Sequence, residues 1–530
     1  MRLDFWRGHP PGLAVCFLTE MWERFSYYGM RALLIFYLTQ HFLYSDEKAY
    51  LIYGAYTAMV YMLPVIGGIL ADQYLGYRKA VTFGAVLLVL GHFGLAIEGP
   101  SALTIVGENG LEISRDPFYA NAFFLSLALI ATGVGFLKTN VSTIVGALYD
   151  KGDPRRDSGF TFFYMGINIG GALAPLLCGW LGQTYGWQYG FGLAGIGMLG
   201  GLIVFVRGQK YLEGRAEPPC PEKLRKKIVL GLSLETLVYF MGVFVVLGAW
   251  VLLMNQALVG RTLSLFGLGA SLFVLYFATR RSTREERDKI IVISVLLIFL
   301  LIFFAFYEQM GSSLNLFADR VVNRDVLSVE VPASTLQSLP AFFVILLAPV
   351  FSIMWIWLGR RGLEPTTPVK FALGLFFMSL AFFTLVLGAG IADGEKVSLI
   401  FFVLSFFWLV VGELFLSPVG LSMITRLSPQ RIMGLMMGMF FLAYSGASFI
   451  AGRIAQLAAA PPKAAGDLVV MTQQYSNVYY QLGILAIGTS VFLYILTPIL
   501  ARAMHEEGTG NRTIIARLYP KKFRKPIADA

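Results

Sequence analysis

Long apolar runs recur from one end of this chain to the other, and that recurrence leaves few folds open to it. Stretches of roughly 20 or more mostly apolar residues fall at approximately 12–41, 48–75, 79–98, 118–149, 157–183, 188–207 and 228–254. More follow at 261–279, 288–318, 333–359, 368–391, 397–426, 431–459 and 473–503. As a helix, each is long enough to cross hydrocarbon about 30 Å thick. Lipid offers the backbone no hydrogen-bond partners, so a spanning segment must satisfy its own amides, which a helix does. The expectation is an all-α polytopic membrane protein with about 14 transmembrane helices. Composition agrees: 57% of the 530 residues are hydrophobic and 14% charged, against about a quarter charged in soluble domains.

The net charge of +10 would suit nucleic acid if it were gathered on one folded face. Instead the basic residues lie in alternate loops. One set holds Y-R-K at 77–79, the run 151–156, the stretch from Arg207 to Lys227, the run 280–289, Arg360 with Arg361, and the tail residues Lys521, Lys522, Arg524 and Lys525. The other set holds scattered residues such as Lys48, Arg115, Arg261 and Lys396. The positive-inside rule places the first set and both termini in the cytoplasm. The charge therefore marks orientation in a cell membrane, with no nucleic-acid partner expected. Cys16, Cys178 and Cys220 show no pairing pattern, so free thiols are expected.

Charge-rich linkers divide the spans six, two and six. This gives an N-terminal six-helix bundle over 1–207 and linkers with a two-helix insert over 208–286. A C-terminal six-helix bundle over 287–504 and a basic tail over 505–530 complete the plan. Two six-helix halves joined by a cytoplasmic linker resemble the major facilitator plan, in which the halves enclose a midplane site.

The first span carries the strongest functional signal. Glu20, Glu23, Arg24 and Arg31 interrupt its apolar sequence at offsets of three, four and eleven residues, and Tyr27 joins the same stripe. A charge at the bilayer centre costs roughly 2.5–3.5 kcal/mol on insertion scales. Four on one helix make sense only where they meet partner charges or a wet cavity. Three further spans carry one conspicuous ionisable residue each: Lys138, Glu308 and Glu413. Cations (Arg31, Lys138) thus sit in the first half and carboxylates (Glu308, Glu413) in the second. This distribution predicts ion pairs that close the halves and break when the cavity opens. A carboxylate in such a setting carries protons, because desolvation raises its pKa and a nearby cation lowers it.

These residues fall in blocks that resemble the proton-dependent oligopeptide transporters of the major facilitator superfamily. E-x-x-E-R-F-S-Y-Y-G from Glu20 to Gly29 is similar to that family's proton-coupling motif. The blocks Arg155–Gly170, Tyr307–Arg320 and Gly412–Leu421 are similar to its fifth, seventh and tenth core helices, and the two-span insert looks like that of prokaryotic members. The resemblance implies proton coupling through Glu20, Glu23, Arg24, Glu308 and Glu413. It implies gating ion pairs Arg31–Glu308 and Lys138–Glu413. It implies attraction of a peptide carboxylate by Arg24, Arg31 and Lys138, and of the amino group by Glu413 and Asn168. Tyr27, Tyr28, Tyr61 and Tyr164 would line the pocket, with Phe304 and Phe440 as aromatic positions of the second bundle. Two positions depart from the family: Pro340 stands where many members have Asn, and Gly54 where animal members have His.

The function so implied is proton-coupled import of di- and tripeptides by alternating access, driven by the proton gradient without a cofactor, in a bacterial inner membrane. The alternative is the same fold carrying nitrate, another anion or a drug-like compound. An enzyme would need a nucleophile–base set or metal ligands, and the sequence offers neither. His9, His41, His92 and His505 are scattered without metal-ligand spacing, and no P-loop motif is present. A receptor would carry a domain outside the membrane, for which the longest loop is too short. Oligomeric state is not legible.

Overall fold

A computed structural model describes residues 8–107, 110–150, 152–229, 231–459 and 466–505. The basic tail expected at 505–530 lies outside the described residues apart from His505. Twelve described helical stretches are long and apolar enough to cross a membrane by length and composition. One of them, 51 residues from Asp46 to Ala96, is two helices turning at Gly76, whose φ is +71°. The first helix is not among the twelve, because its ionisable side chains interrupt its apolar run.

The spans are therefore fourteen, labelled here in chain order. The first six are α1 (Pro11–Phe36), α2 (Asp46–Leu70), α3 (Gly76–Ala96), α4 (Pro117–Ala147), α5 (Arg156–Ala174) and α6 (Trp187–Gly208). The insert is α7 (Leu234–Met254) and α8 (Gln256–Arg280). The last six are α9 (Arg284–Tyr307), α10 (Leu339–Arg360), α11 (Thr367–Ala392), α12 (Leu399–Leu427), α13 (Met433–Leu457) and α14 (Leu468–Ala503).

Local sequence sets the helix starts. Ser45 caps α2 by accepting from the Lys48 amide, and Asp46 and Glu47 in the first turn suit the positive end of the helix dipole. Thr283 and Glu286 form a reciprocal capping box at α9. Breaks matter as much as starts. α5 loosens into a wide π turn at Pro175–Gly179, where proline supplies no amide to the ladder. α9 stops at Tyr307 and passes through a tight 3₁₀ turn, Glu308–Gly311, into a short helix, Ser313–Arg320.

α1 packs on α5 and α6, and α4 on α2 and α3; in the second half α11 packs on α12 and α14, and α9 on α13. Two helix pairs join the halves, α2 with α13 and α5 with α10. The α2–α13 crossing is close: a Cβ on Gly54 would sit 2.9 Å from Gly452 Cα. The insert lies outside, with α7 against α4 and α8 against α13.

Polar contacts between the halves gather on the side of the α1–α2 loop. Arg320 grips Asp46 with two hydrogen bonds of 2.6 and 2.8 Å. Gln40 donates to Asp319 at 3.1 Å, Gln456 to the Glu47 carbonyl at 3.1 Å, and the Ser334 amide to Gln183 at 2.9 Å. The molecule is closed on this side.

Candidate functional site

Between the halves lies a cavity of about 370 Å³, within the range of small-molecule sites. One wall presents Glu20, Arg24, Tyr28 and Arg31 of α1, Tyr61 of α2, Lys138 of α4, and Tyr164 and Asn168 of α5. The facing wall presents Tyr307 and Glu308, Gln337 and Pro340, Glu413 and Ser417 of α12, and Phe440 and Tyr444 of α13. Each wall carries one sign of excess charge, as the sequence predicts.

The α1 stripe is narrower than the sequence suggests. Positions 20, 24, 28 and 31 face the cavity, following one line of a helix with 3.6 residues per turn. Glu23 and Tyr27 lie on the edge of that line and turn into protein. Glu23 is fully buried, and its carboxylate accepts both Arg24 Nε and, at 2.6 Å, Arg24 Nη2. Tyr27 is fully buried, 5.1 Å from the Arg24 guanidinium carbon by ring centroid and edge-on to Tyr28. Its expected place on the pocket surface is corrected: it supports the lining from behind. Phe304 is corrected likewise. It is buried against Tyr444, ring centroids 4.1 Å apart, and Tyr444 occupies the cavity face.

Glu20 Oε1 stands 3.4 Å from Arg24 Nε, while its Oε2 is buried without a hydrogen-bond partner among the described residues. Glu20 is therefore the less neutralised carboxylate of the cluster, since Glu23 takes the two direct bonds from Arg24.

The two expected cross-bundle ion pairs behave differently. Arg31 Nη2 donates to Glu308 Oε2 at 2.5 Å, and Arg31 Nε donates to the Tyr53 hydroxyl at 2.6 Å. Both partners are almost wholly buried, so each needs the other's charge. Gly311 makes the approach possible, because a Cβ there would lie 1.8 Å from the Tyr53 hydroxyl and 2.9 Å from Arg31 Nη2. The Lys138–Glu413 pair is not formed. Glu413 instead accepts the Tyr307 hydroxyl at 2.5 Å. Lys138 Nζ lies over the Tyr61 ring, 4.4 Å from its centroid. Their helices face each other across open space on the side where the halves are not clamped. Among the described residues, then, Lys138 has no carboxylate within ion-pair reach and Glu413 has no cation.

A row of mutually tilted aromatic rings crosses the site from half to half. Tyr61 lies 4.1 Å from Tyr444 by ring centroids, and Tyr444 the same distance from Phe304. Tyr53, Tyr307, Gln337 and Tyr444 are site residues that sequence reasoning missed. Tyr444 was legible: it lies four residues after Phe440, on the same helical face. Tyr307 directly precedes Glu308 and was hidden because the helix break there has no proline to announce it.

Arg78, in the first turn of α3, is held by the linker that follows the first bundle. Arg78 donates to both Glu217 oxygens at 2.6 and 2.9 Å. Its guanidinium holds the Glu217 carboxyl below the usual carboxylate range. The three cysteines are free.

The profile of the POT family matches residues 78–477. The chain is 36% identical over 467 residues to a protein of Yersinia enterocolitica named peptide transporter YePEPT, covering 84% of this chain and 88% of that one. It is 32% identical over 506 residues to the dipeptide and tripeptide permease A of Erwinia pyrifoliae, covering 94% and 96%. Among solved structures it resembles a peptide transporter POT crystallised with sulfate, at 35% identity and a TM-score of 0.78, covering 94% and 97%. That likeness extends over both bundles and the insert, and the architecture is the major facilitator fold. The chain is a member of the POT family of membrane transporters.

Proposed function

We propose that this protein is a symporter that imports di- and tripeptides together with protons, by alternating access and with no cofactor. In this reading it sits in a bacterial inner membrane with both termini cytoplasmic, because the basic loops lie on one side. The clamped side is then periplasmic, and the conformation is closed to the outside.

One observation carries the reading: Lys138 and Glu413 face one cavity from opposite walls, each without a counter-charge in ion-pair reach among the described residues. A peptide is a zwitterion whose termini are fixed in sign while its side chains vary. Lys138, backed by Arg24 and Arg31, suits the carboxylate. Glu413, with Asn168, suits the amino group. Tyr28, Tyr61, Tyr164, Phe440 and Tyr444 offer faces that accept varied side chains without demanding particular hydrogen bonds. Relatives named as dipeptide and tripeptide permeases support this cargo.

Glu20 is the proposed proton carrier, with Glu23 and Arg24 tuning it. Protonation removes one of the two negative charges beside Arg24, so that guanidinium, still bonded to Glu23, attracts the arriving carboxylate more strongly. Glu308 and Glu413 are proposed to take part by holding and releasing Arg31 and the cargo amine. The test is dipeptide uptake into proteoliposomes with and without an inward proton gradient. Glu20→Gln should abolish gradient-driven uptake while leaving counterflow exchange; gradient-independent uptake by the wild type would remove the coupling.

Pro340 favours keeping a second cargo in view. It lines the cavity but has no side-chain polar group, so amine recognition rests on fewer groups. Competition of a labelled dipeptide by nitrate, histidine and unlabelled dipeptides separates the two cargo classes.

A further inference from the structure

Outside the transport cavity, the seam between α8 and α13 combines charge and apolar space in a way the transport cycle does not use. Arg261 of α8 and Arg453 of α13 line one cavity of about 650 Å³ with Gly260, Ser264, Leu268 and Phe449. Both arginines are exposed. Among the described residues neither forms an ion pair. Arg453 Nη1 donates to Gln456 Oε1 at 3.2 Å, and its guanidinium carbon lies 5.7 Å from the Phe449 ring centroid. Lys48 adds a third cation at this end of the seam, bonded at 2.7 Å to Gln256 Oε1, the first residue of α8.

Depth gives this cluster its meaning. Arg261 is five residues from the start of α8 and Arg453 four from the end of α13. At 1.5 Å per residue each lies roughly 6–8 Å inside its helix end, the depth of the headgroup boundary rather than the hydrocarbon centre. At that depth two guanidinium groups that form no ion pair among the described residues are placed to meet an anionic headgroup.

Further along α8 a second cavity of about 450 Å³ opens between α8, α9 and α13. Its walls are apolar, among them Leu263, Val274, Leu301 and Met439. Gly267 leaves its middle open, since a Cβ there would meet nothing within 4 Å. Both cavities lie along the same pair of helices: Ser264 and Phe449 line the charged one, and Leu263, Gly267 and Gly446, within one turn of them, line the apolar one.

We infer that the α8–α13 seam is a binding site for an anionic phospholipid, its phosphodiester held between Arg261 and Arg453 and an acyl chain laid in the apolar groove. The insert then acts as a lipid-bound prop against the second bundle. This site is independent of the cargo, so its failure leaves the transport reading untouched.

The test is lipid retention by the purified full-length protein in mixed micelles, read by native mass spectrometry with phosphatidylglycerol or phosphatidylcholine. Phosphatidylglycerol should be retained over phosphatidylcholine. The R261Q/R453Q double variant should bind phosphatidylglycerol on the order of tenfold more weakly, with phosphatidylcholine unchanged. Gly267→Trp fills the groove but keeps both arginines, and should also weaken phosphatidylglycerol retention. A monodisperse gel-filtration profile controls for folding; if the double variant fails it, R261Q and R453Q are read singly. Equal retention of the two lipids overturns the proposal, as does wild-type retention by the arginine variants. Displacement by inorganic phosphate together with no effect of Gly267→Trp assigns a free anion site and overturns it too.

Discussion

Two pairs of opposite charges span the same interface, and only one of them is joined. Arg31 and Glu308 meet at 2.5 Å on the clamped side of the molecule. Lys138 and Glu413 face the cavity apart, one over a tyrosine ring and the other on a tyrosine hydroxyl. The first pair is ringed by contacts that fix it: Tyr53 on Arg31, Tyr444 on Glu308, and the glycine at 311 that admits them. The second has nothing to hold it shut. Opposite charges thus form a closed contact where the halves touch and stay apart where they do not; in the proposed function the first pair is a latch and the second reads the cargo. Position in the rocking fold, more than residue type, decides which.

The comparison can be broken most severely at the latch. Glu308→Gln leaves Arg31 buried without its charge, which should cost about 3–5 kcal/mol of the closed arrangement. Uptake should be lost, and paired cysteines in the α1–α2 loop and the Ser313–Arg320 helix should crosslink less than in the parent. Undiminished crosslinking would show that the pair is not the latch. A charge swap sharpens the contrast. R31E/E308R should recover part of the closure that either single change loses, because the partners contact each other. K138E/E413K should recover no uptake, because each residue faces cargo.

A smaller effect is expected at Tyr307. Removing its hydroxyl in Tyr307→Phe deletes one hydrogen bond to a charged group, worth about 1.5–3 kcal/mol. Glu413 is then free to swing toward Lys138, so peptide affinity should fall while expression and thermal stability hold. Unchanged affinity would mean that the hydroxyl does not position Glu413. Gly54→Leu should shift the balance away from the clamped form by wedging α2 from α13, and the same crosslinking assay reads it. The smallest change is expected at the exposed linker clamp. Arg78→Ala removes a contact with Glu217 that solvent screens, so it should cost under about 1 kcal/mol and leave uptake intact. Since Glu217 is held low, that contribution is present near neutral pH and fades as acid protonates it. Thermal denaturation at two pH values checks this.

Much of this organisation was legible before any coordinates. Period and length gave the spans, because a bilayer imposes one length on every crossing. Intramembrane charges gave most of the cavity, because a charge in lipid needs a reason. What escaped had physical causes. The break after Tyr307 carries no proline signal, and it lies where Glu308 meets Arg31 of the other half. The α1 stripe was drawn too wide because adjacent helical positions differ by only 100°, and packing alone decides that Tyr28 faces the cavity and Tyr27 does not. That Lys138 and Glu413 stand apart here was not legible, because sequence records which charges can meet, not in which conformation they do.

The account turns on the two cavity walls reading opposite ends of the cargo. The direct measurement is inhibition of labelled dipeptide uptake by dialanine, its N-acetyl form and its C-terminal amide, in the wild type, Lys138→Gln and Glu413→Gln. Acetylation should weaken binding to the wild type but cost nothing further in Glu413→Gln, and amidation should cost nothing further in Lys138→Gln. If both modifications weaken binding equally in all three proteins, the walls do not read the termini and the account is wrong.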